Sequence, residues 1–190
     1  MTRPHGREQV RTAVLDATSA LVAERGPGGF SVRDVAARAG VNHALVHRHF
    51  GTKADVLEQM LAADGEAIVA AVLDAGLPTA GRAAPDEVER LLELLAARPS
   101  YWRTLVHAVL DHPESALPGT ASTTDLFSGL WRGTDSGDAD PERAVDTAVA
   151  GATVLGWLIF GRFMAESTEV APDDLRQAVA EQVASVLGTR

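Results

Sequence analysis

SVRDVAARAGVNHALVHRHFGTK, residues 31–53, reads as two short helices that meet at a glycine turn. The Ser31 hydroxyl can cap the free amides of a first turn, and Asp34, three residues on, completes a capping-box-like pair. Val32, Val35 and Ala36 recur at the i, i+3, i+4 spacing of a buried helical face, while Arg33 and Arg38 fall on the other side. This helix stops at Gly40. A second starts near Asn42, a good N-cap residue, and runs to Phe50 before Gly51 and Thr52 interrupt it. Two helices of this size around such a turn make a helix-turn-helix, whose second helix enters the major groove of DNA.

At ~100° per residue the second helix has two distinct arcs. Val46 and Phe50 lie close together with His49 beside them, Ala44, His47 and Arg48 lie opposite, and His43 sits at the exposed N-terminal end. Arg48 can offer a guanine edge two parallel donors. His43 and His47 can donate to base acceptors or phosphates, and Ala44 is small enough for close approach or contact with a thymine methyl. Thr52 and Lys53 read as the N-cap and first residue of the next helix, where amide, hydroxyl and ammonium can converge on one phosphate. The expected DNA-facing set is Arg33, Asn42, His43, Ala44, His47, Arg48, His49, Thr52 and Lys53.

A capped Ser or Thr, a helix ending AxxAGV, and a recognition helix ending HF before a small residue, Ser/Thr and Lys resemble the DNA-binding domain of TetR (tetracycline-repressor-like) transcriptional regulators. Here the pattern is SVRDVAARAGVNHALVHRHFGTKADVL, and the likeness extends back over Val10 to Phe30, about a quarter of the chain in all. That family often carries Tyr where this chain has His47, and the Tyr usually reaches the phosphate backbone. The resemblance implies that His47 does this work with a shorter, titratable group, or that the operator contact differs.

Charge is divided unevenly along the 190 residues. Residues 1–57 carry eight Arg/Lys against five Asp/Glu, whereas residues 58–190 carry nine against twenty-one. A basic head on an acidic body is expected where only the head neutralises phosphates. The absence of cysteine removes disulfides, thiol redox sensing and Cys-ligated metal sites. No uninterrupted apolar run reaches the ~18 residues of a membrane span, and the first residues lack the apolar stretch of a signal peptide, so a cytoplasmic protein without a membrane partner is expected.

Working outward, residues 1–6 read as a solvated arm. Val10, Val14, Leu15, Ala17, Leu21 and Val22 give a first helix that ends at ERGPGGF. Its small core with Phe30, Val35, Val46 and Phe50 needs support from the next helix, expected from Thr52 or Lys53 to about Leu77. Beyond PTAGRAAP, an acidic turn at Asp86, Glu87 and Glu89 opens VERLLELLAA, which Pro99 closes. SYWRTLVHAVLD follows with Ser100 as cap, then a loop, then a short amphipathic segment from Ser122 to Arg132. Asp140, Pro141 and Glu142 are the strongest helix-start signal of the second half. The helix they open runs to about Glu166, and its 14-residue AVAGATVLGWLIFG suggests burial on most sides. A last helix spans Pro172 to Leu187.

These features describe an all-α chain of about nine helices, with a helix-turn-helix domain at residues 1–51 and a helical effector-binding and dimerisation domain at 52–190. Ala148, Ala152, Leu155 and Ile159, with Leu175, Val179, Val183 and Val186 on the last helix, are the expected faces of a two-fold homodimer, which the resemblance also implies. Two recognition helices then fall one helical turn, ~34 Å, apart on a palindromic double-stranded operator. Trp102, Arg103, His107, Phe127, Trp131, Trp157 and Phe160 are the candidate lining of a small-molecule effector pocket, against the plainer alternative that aromatic residues at helical spacing are core. His43 and His47 have the spacing of a two-histidine metal site, but no third ligand is near and the motif already explains both. No metal or cofactor is expected. The function expected is a ligand-responsive regulator, specifically a repressor. The alternatives are a constitutive DNA binder without effector and a helical small-molecule binding or enzymatic domain, though no motif places a nucleophile and base together.

Overall fold

A computed structural model describes residues 6–77, 83–111, 119–121, 123–125 and 141–188, the side chains of 141–143 excepted. Eight helices are defined among them: α1 (Arg7–Arg25), α2 (Val32–Ala39), α3 (His43–Phe50), α4 (Lys53–Asp74), α5 (Pro85–Ala96), α6 (Pro99–Asp111), α7 (Pro141–Thr168) and α8 (Pro172–Gly188). No strand occurs among the described residues. The expected elements at Phe127, Trp131 and Asp140 lie outside them.

The chain forms two compact units, one of residues 1–66 with 99–121 and the other of 67–98 with 122–190. This division is not the one expected at 51/52, because α6 folds with the amino-terminal helices. Its Ser100 hydroxyl, 36 residues from Asp64 in sequence, donates to the Asp64 carboxylate at 3.3 Å, and Ser19 of α1 donates to the same oxygen at 3.2 Å. Ser100 therefore lies inside α6 and is buried, where an N-cap was expected; Pro99 starts the helix. Arg103 adds a second tie, its guanidinium donating to the Val22 and Ala23 carbonyls near the C-terminal end of α1 at 3.4 and 2.5 Å. Val14, Leu21, Val22, Val35, Val46, Val56, Met60, Tyr101 and Trp102 supply the core of this unit. Gly119 closes against α4 with φ +78°, so near the helix that an added Cβ would lie 2.5 Å from the Glu58 carbonyl oxygen.

In the second unit α5, α7 and α8 pack pairwise around Val88, Leu92, Leu95, Val154, Ala165, Ala180 and Val183. Pro85 starts α5, and the Glu87 carboxylate accepts from the Ala84 amide at 2.7 Å, half of a capping box that alanine cannot complete. Arg176 of α8 binds Glu89 and Glu93 of α5 at 3.1 and 3.5 Å and Asp173 at 3.0 Å. Its bond to Glu89, then the surrounding carboxylates, hold its proton more firmly than usual.

Expected to be buried on most sides, α7 is instead largely open in the single chain. Val145, Val149, Ile159, Phe160 and Phe163 are all exposed, Phe163 to 61%. From Ala144 to Thr168 it is also long and apolar enough, by length and composition, to cross a membrane, with 22% of its most apolar window buried. A reading of uninterrupted apolar runs stops at Asp146 and Arg162 and does not register this. The periodicity identifies an apolar helix correctly, but it cannot say how many neighbours one chain provides.

Candidate nucleic-acid interface

The turn between α2 and α3 is fixed by backbone hydrogen bonds. Gly40 adopts a left-handed conformation at φ 69°, ψ 25°. The Val41 amide donates to the Ala36 carbonyl at 3.0 Å and that of Gly40 to Ala37 at 3.3 Å, a pairing that ends a helix sharply and favours glycine at the turn. At the start of α2 the Ser31 amide and hydroxyl donate to Asp34 Oδ2 at 2.8 and 2.6 Å, and the Asp34 amide returns a bond to the Ser31 hydroxyl at 3.3 Å. These bonds, led by that from the Ser31 hydroxyl, hold the Asp34 carboxyl below the usual aspartate range.

Asn42 caps α3 as expected, its Oδ1 accepting from the Ala44 amide at 2.8 Å. Val46 and Phe50 point into the core, while His43, Ala44, His47, Arg48 and His49 are exposed. The His43 and His47 rings stand edge to face with centroids 6.4 Å apart. Arg33 is exposed on α2, whereas Arg38 is bound to Glu24 of α1 at 2.7 Å. Their mutual hydrogen bond lowers the Glu24 pKa and raises that of Arg38. Among the described residues no ion pair engages Arg33 or Arg48, so both guanidiniums have donors to offer a phosphate or a base.

The start of α4 is organised differently from the expected phosphate clamp. Thr52 and Asp55 repeat the box of α2: the Thr52 amide and hydroxyl each donate to Asp55 Oδ2 at 2.7 Å, and the Asp55 amide donates back to the hydroxyl at 3.3 Å. The Thr52 hydroxyl and amide are thus engaged by a carboxylate, whose pKa they lower. Lys53 lies over the Phe30 ring, Nζ 4.5 Å from its centroid. Burial there lowers its pKa, partly offset by the charge of Asp34. The Thr-x-x-Asp spacing matches Ser-x-x-Asp of α2, a signal by which the second box could have been found.

Sequence reasoning also missed Arg7 and Arg11. One turn apart on α1, they line a cleft of about 450 Å³ with Gly6, Val10, Leu45, His49, Phe50 and Gln59. Among the described residues no carboxylate lines it. The cleft adjoins the exposed face of α3, so the cationic surface extends from the recognition helix onto α1.

Of the described candidate effector residues, Trp102, Arg103 and His107 belong to the first unit and Trp157 and Phe160 to the second. Trp102 is buried edge-on against Tyr101, ring centroids 4.8 Å apart, and Arg103 is committed to the α1 carbonyls. His107 is half exposed, 3.3 Å from Asp111. Trp157 is partly buried and Phe160 exposed, both in the second unit. Among the candidate dimer residues, Ala148, Ala152 and Ile159 are exposed on α7 and Leu155 is partly so. Leu175, Val179 and Val186 of α8 are partly buried, and Val183 is enclosed within its own chain.

A capped, glycine-turned helix pair presenting an exposed basic face defines a helix-turn-helix DNA-binding protein. The family model for bacterial regulatory proteins of the tetR family matches residues 14–60. An HTH-type transcriptional repressor of Mycobacterium tuberculosis is 34% identical over 192 aligned residues, covering 97% of this chain and 92% of the relative. Among solved structures, a TetR-family regulator of Streptomyces coelicolor is similar at TM-score 0.69 with 15% identity, covering 97% of this chain and 83% of its own. A transcriptional regulator of Saccharomonospora viridis, solved in complex with choline, is similar at TM-score 0.66 with 19% identity, covering 91% and 94%. The chain belongs to the TetR family of transcriptional regulators, and α2–α3 is its DNA-binding motif.

Proposed function

We propose that this regulator is a homodimeric repressor that holds a palindromic operator through α3 and is released by a small molecule. The exposed face of α3 carries the reading: Arg48 contacts a base edge, His43 and His47 contact bases or phosphates, and Arg33 and Lys53 contact the backbone. Repression follows the name of the Mycobacterium tuberculosis relative.

The apolar arc of α7 supports the dimer. Val145, Val149, Ala152, Gly156, Ile159 and Phe163 fall within one narrow sector of the helix, and in a single chain water wets it. A second α7 related by two-fold symmetry would cover it, with Ala152 and Gly156 allowing close approach. This use of α7 is favoured over a membrane span because α7 already packs on α5 and α8 and the family is a regulatory one. A cytoplasmic location follows from the same role. For the effector, the Thr104 hydroxyl of α6 supports a ligand against that helix: it is buried and has no hydrogen-bond partner among the described residues, and such groups usually have one. The Saccharomonospora viridis neighbour shows that a protein of this fold can hold a small organic cation.

The test is operator binding after genomic-fragment selection. Arg48→Ala is expected to cost about 1–3 kcal/mol at one base position and relax specificity there, whereas Lys53→Ala weakens all sequences alike. If both variants bind the selected operator as the parent does, α3 is not the reading helix.

A further inference from the structure

We propose that DNA binding by this chain is proton-linked, with His43, His47 and His49 taking up protons as phosphates close on them, so that affinity falls as pH rises from 6 to 8. The inference rests on the proposed reading face and adds its regulation. Three imidazoles stand exposed on the eight-residue α3, His43 and His47 on its outer arc and His49 beside Phe50 in the cleft with Arg7 and Arg11. Imidazole is the side chain whose charge ordinarily changes in this pH range, and a nearby anion favours its charged form.

The groups around the three rings are consistent with this. On α3 itself the neighbour is Arg48. From α1, Arg7 and Arg11 share the cleft with His49, and from α4 its remaining polar lining is Gln59. On α2, Asp34 is held by Ser31, and Arg38 by Glu24, while Arg33 is exposed. At the start of α4, Asp55 is held by Thr52, and Lys53 lies over Phe30. Of the acidic groups on α1, α2 and the start of α4, Glu24, Asp34 and Asp55 are each engaged by another partner, whereas Glu8, Asp16 and Glu58 are exposed. Protonating His43 and His47 together in the free chain would set two like charges on rings 6.4 Å apart. Phosphates between or beside the rings remove that repulsion and leave each ring with two N–H donors, so proton uptake accompanies binding.

The test measures fluorescence anisotropy of a labelled 40-base-pair mixed-sequence duplex against the full chain, at pH 6 and pH 8 over a series of salt concentrations. The parent is expected to bind at least about tenfold more tightly at pH 6. Its salt dependence should also be steeper there, by up to ~0.9 in log–log slope for each imidazole that becomes a phosphate-neutralising cation. The His43→Gln/His47→Gln/His49→Gln variant should bind with one affinity and one salt slope at pH 6 and pH 8, whatever the level of that affinity. His47→Arg, which keeps a cation at every pH, should regain part of the pH 6 affinity at pH 8 even if the triple variant folds poorly. Equal parent affinity and slope at both pH values overturns the proton linkage and leaves DNA binding standing. A full pH effect surviving in the triple variant overturns the assignment to these histidines. No binding of the parent at either pH overturns the reading face and the linkage with it.

Discussion

α3 and α7 each leave one face uncovered in the single chain, and the two faces have opposite chemistry. The open face of α3 is imidazole, guanidinium and a small methyl group, which water solvates at little cost until a polyanion replaces it. The open face of α7 is Val145, Val149, Ile159, Phe160 and Phe163, which water solvates poorly at all times. The difference separates two kinds of partner: a polyanion on α3 would be held electrostatically and released by salt, whereas the second copy proposed for α7 would be held hydrophobically and in proportion to chain concentration.

Breaking the apolar face should have the largest effect. Phe163→Glu places a charge on a side chain that is 61% exposed in the single chain, so the fold of one chain should survive. In a homodimer it would bury that charge at the two-fold contact. The expected outcome is a monomer by sedimentation equilibrium with parent-like circular dichroism. Operator affinity should fall by about 10²-fold or more, because two linked heads no longer bind as one. A dimeric Phe163→Glu protein would move the subunit contact away from this face.

The next effect contrasts a glycine from each unit. At Gly119 an added Cβ meets the Glu58 carbonyl oxygen at 2.5 Å and Leu61 Cβ at 3.1 Å on a φ of +78°, whereas at Gly156 of α7 it meets nothing within 4 Å. Gly119→Ala should lose about 2–4 kcal/mol in urea unfolding, from left-handed strain and displacement of α4. Gly156→Ala should leave the single chain unchanged or more stable by about 0.5–1 kcal/mol, since alanine suits a helix interior better. Comparable losses at both positions would contradict the close seating of residue 119 on α4.

The same contrast explains what was legible in the sequence. The boundaries of α2 and α3 could be read because their determinants, Ser31 with Asp34, Gly40, and Asn42, act over three or four residues. The membership of α6 could not, because it depends on Ser100 reaching Asp64 and on Arg103 reaching Ala23 across 80 residues. A local rule made Ser100 a cap. The exposed set on α3 followed from a helical wheel, but the engagement of Thr52 by Asp55 and the resting place of Lys53 on Phe30 did not. For α7 the pattern gave its apolar character and the position of its small residues. Which part of that surface its own chain covers depends on α5 and α8, whose contacts are long-range.

The smallest effect tests the local grammar itself. Ser31→Ala removes the hydroxyl that both donates to Asp34 and accepts from its amide, and N-cap truncations of this kind cost on the order of 1 kcal/mol. The deficit should depend on pH in a defined direction. In the folded parent the Asp34 carboxyl lies below the ordinary aspartate range, chiefly through the Ser31 hydroxyl and then its amide. A depressed folded pKa contributes stability that is complete above the ordinary aspartate range and is lost as pH falls through the folded value. Removing the hydroxyl moves the folded pKa back toward its unfolded value and removes that part of the contribution. Parent and variant should therefore differ most near neutral pH and converge as Asp34 protonates in both, which urea midpoints from pH 7 down to pH 3 would measure. A deficit constant across that range would mean that the hydroxyl stabilises α2 through its bond from the Asp34 amide alone, with the carboxylate adding nothing.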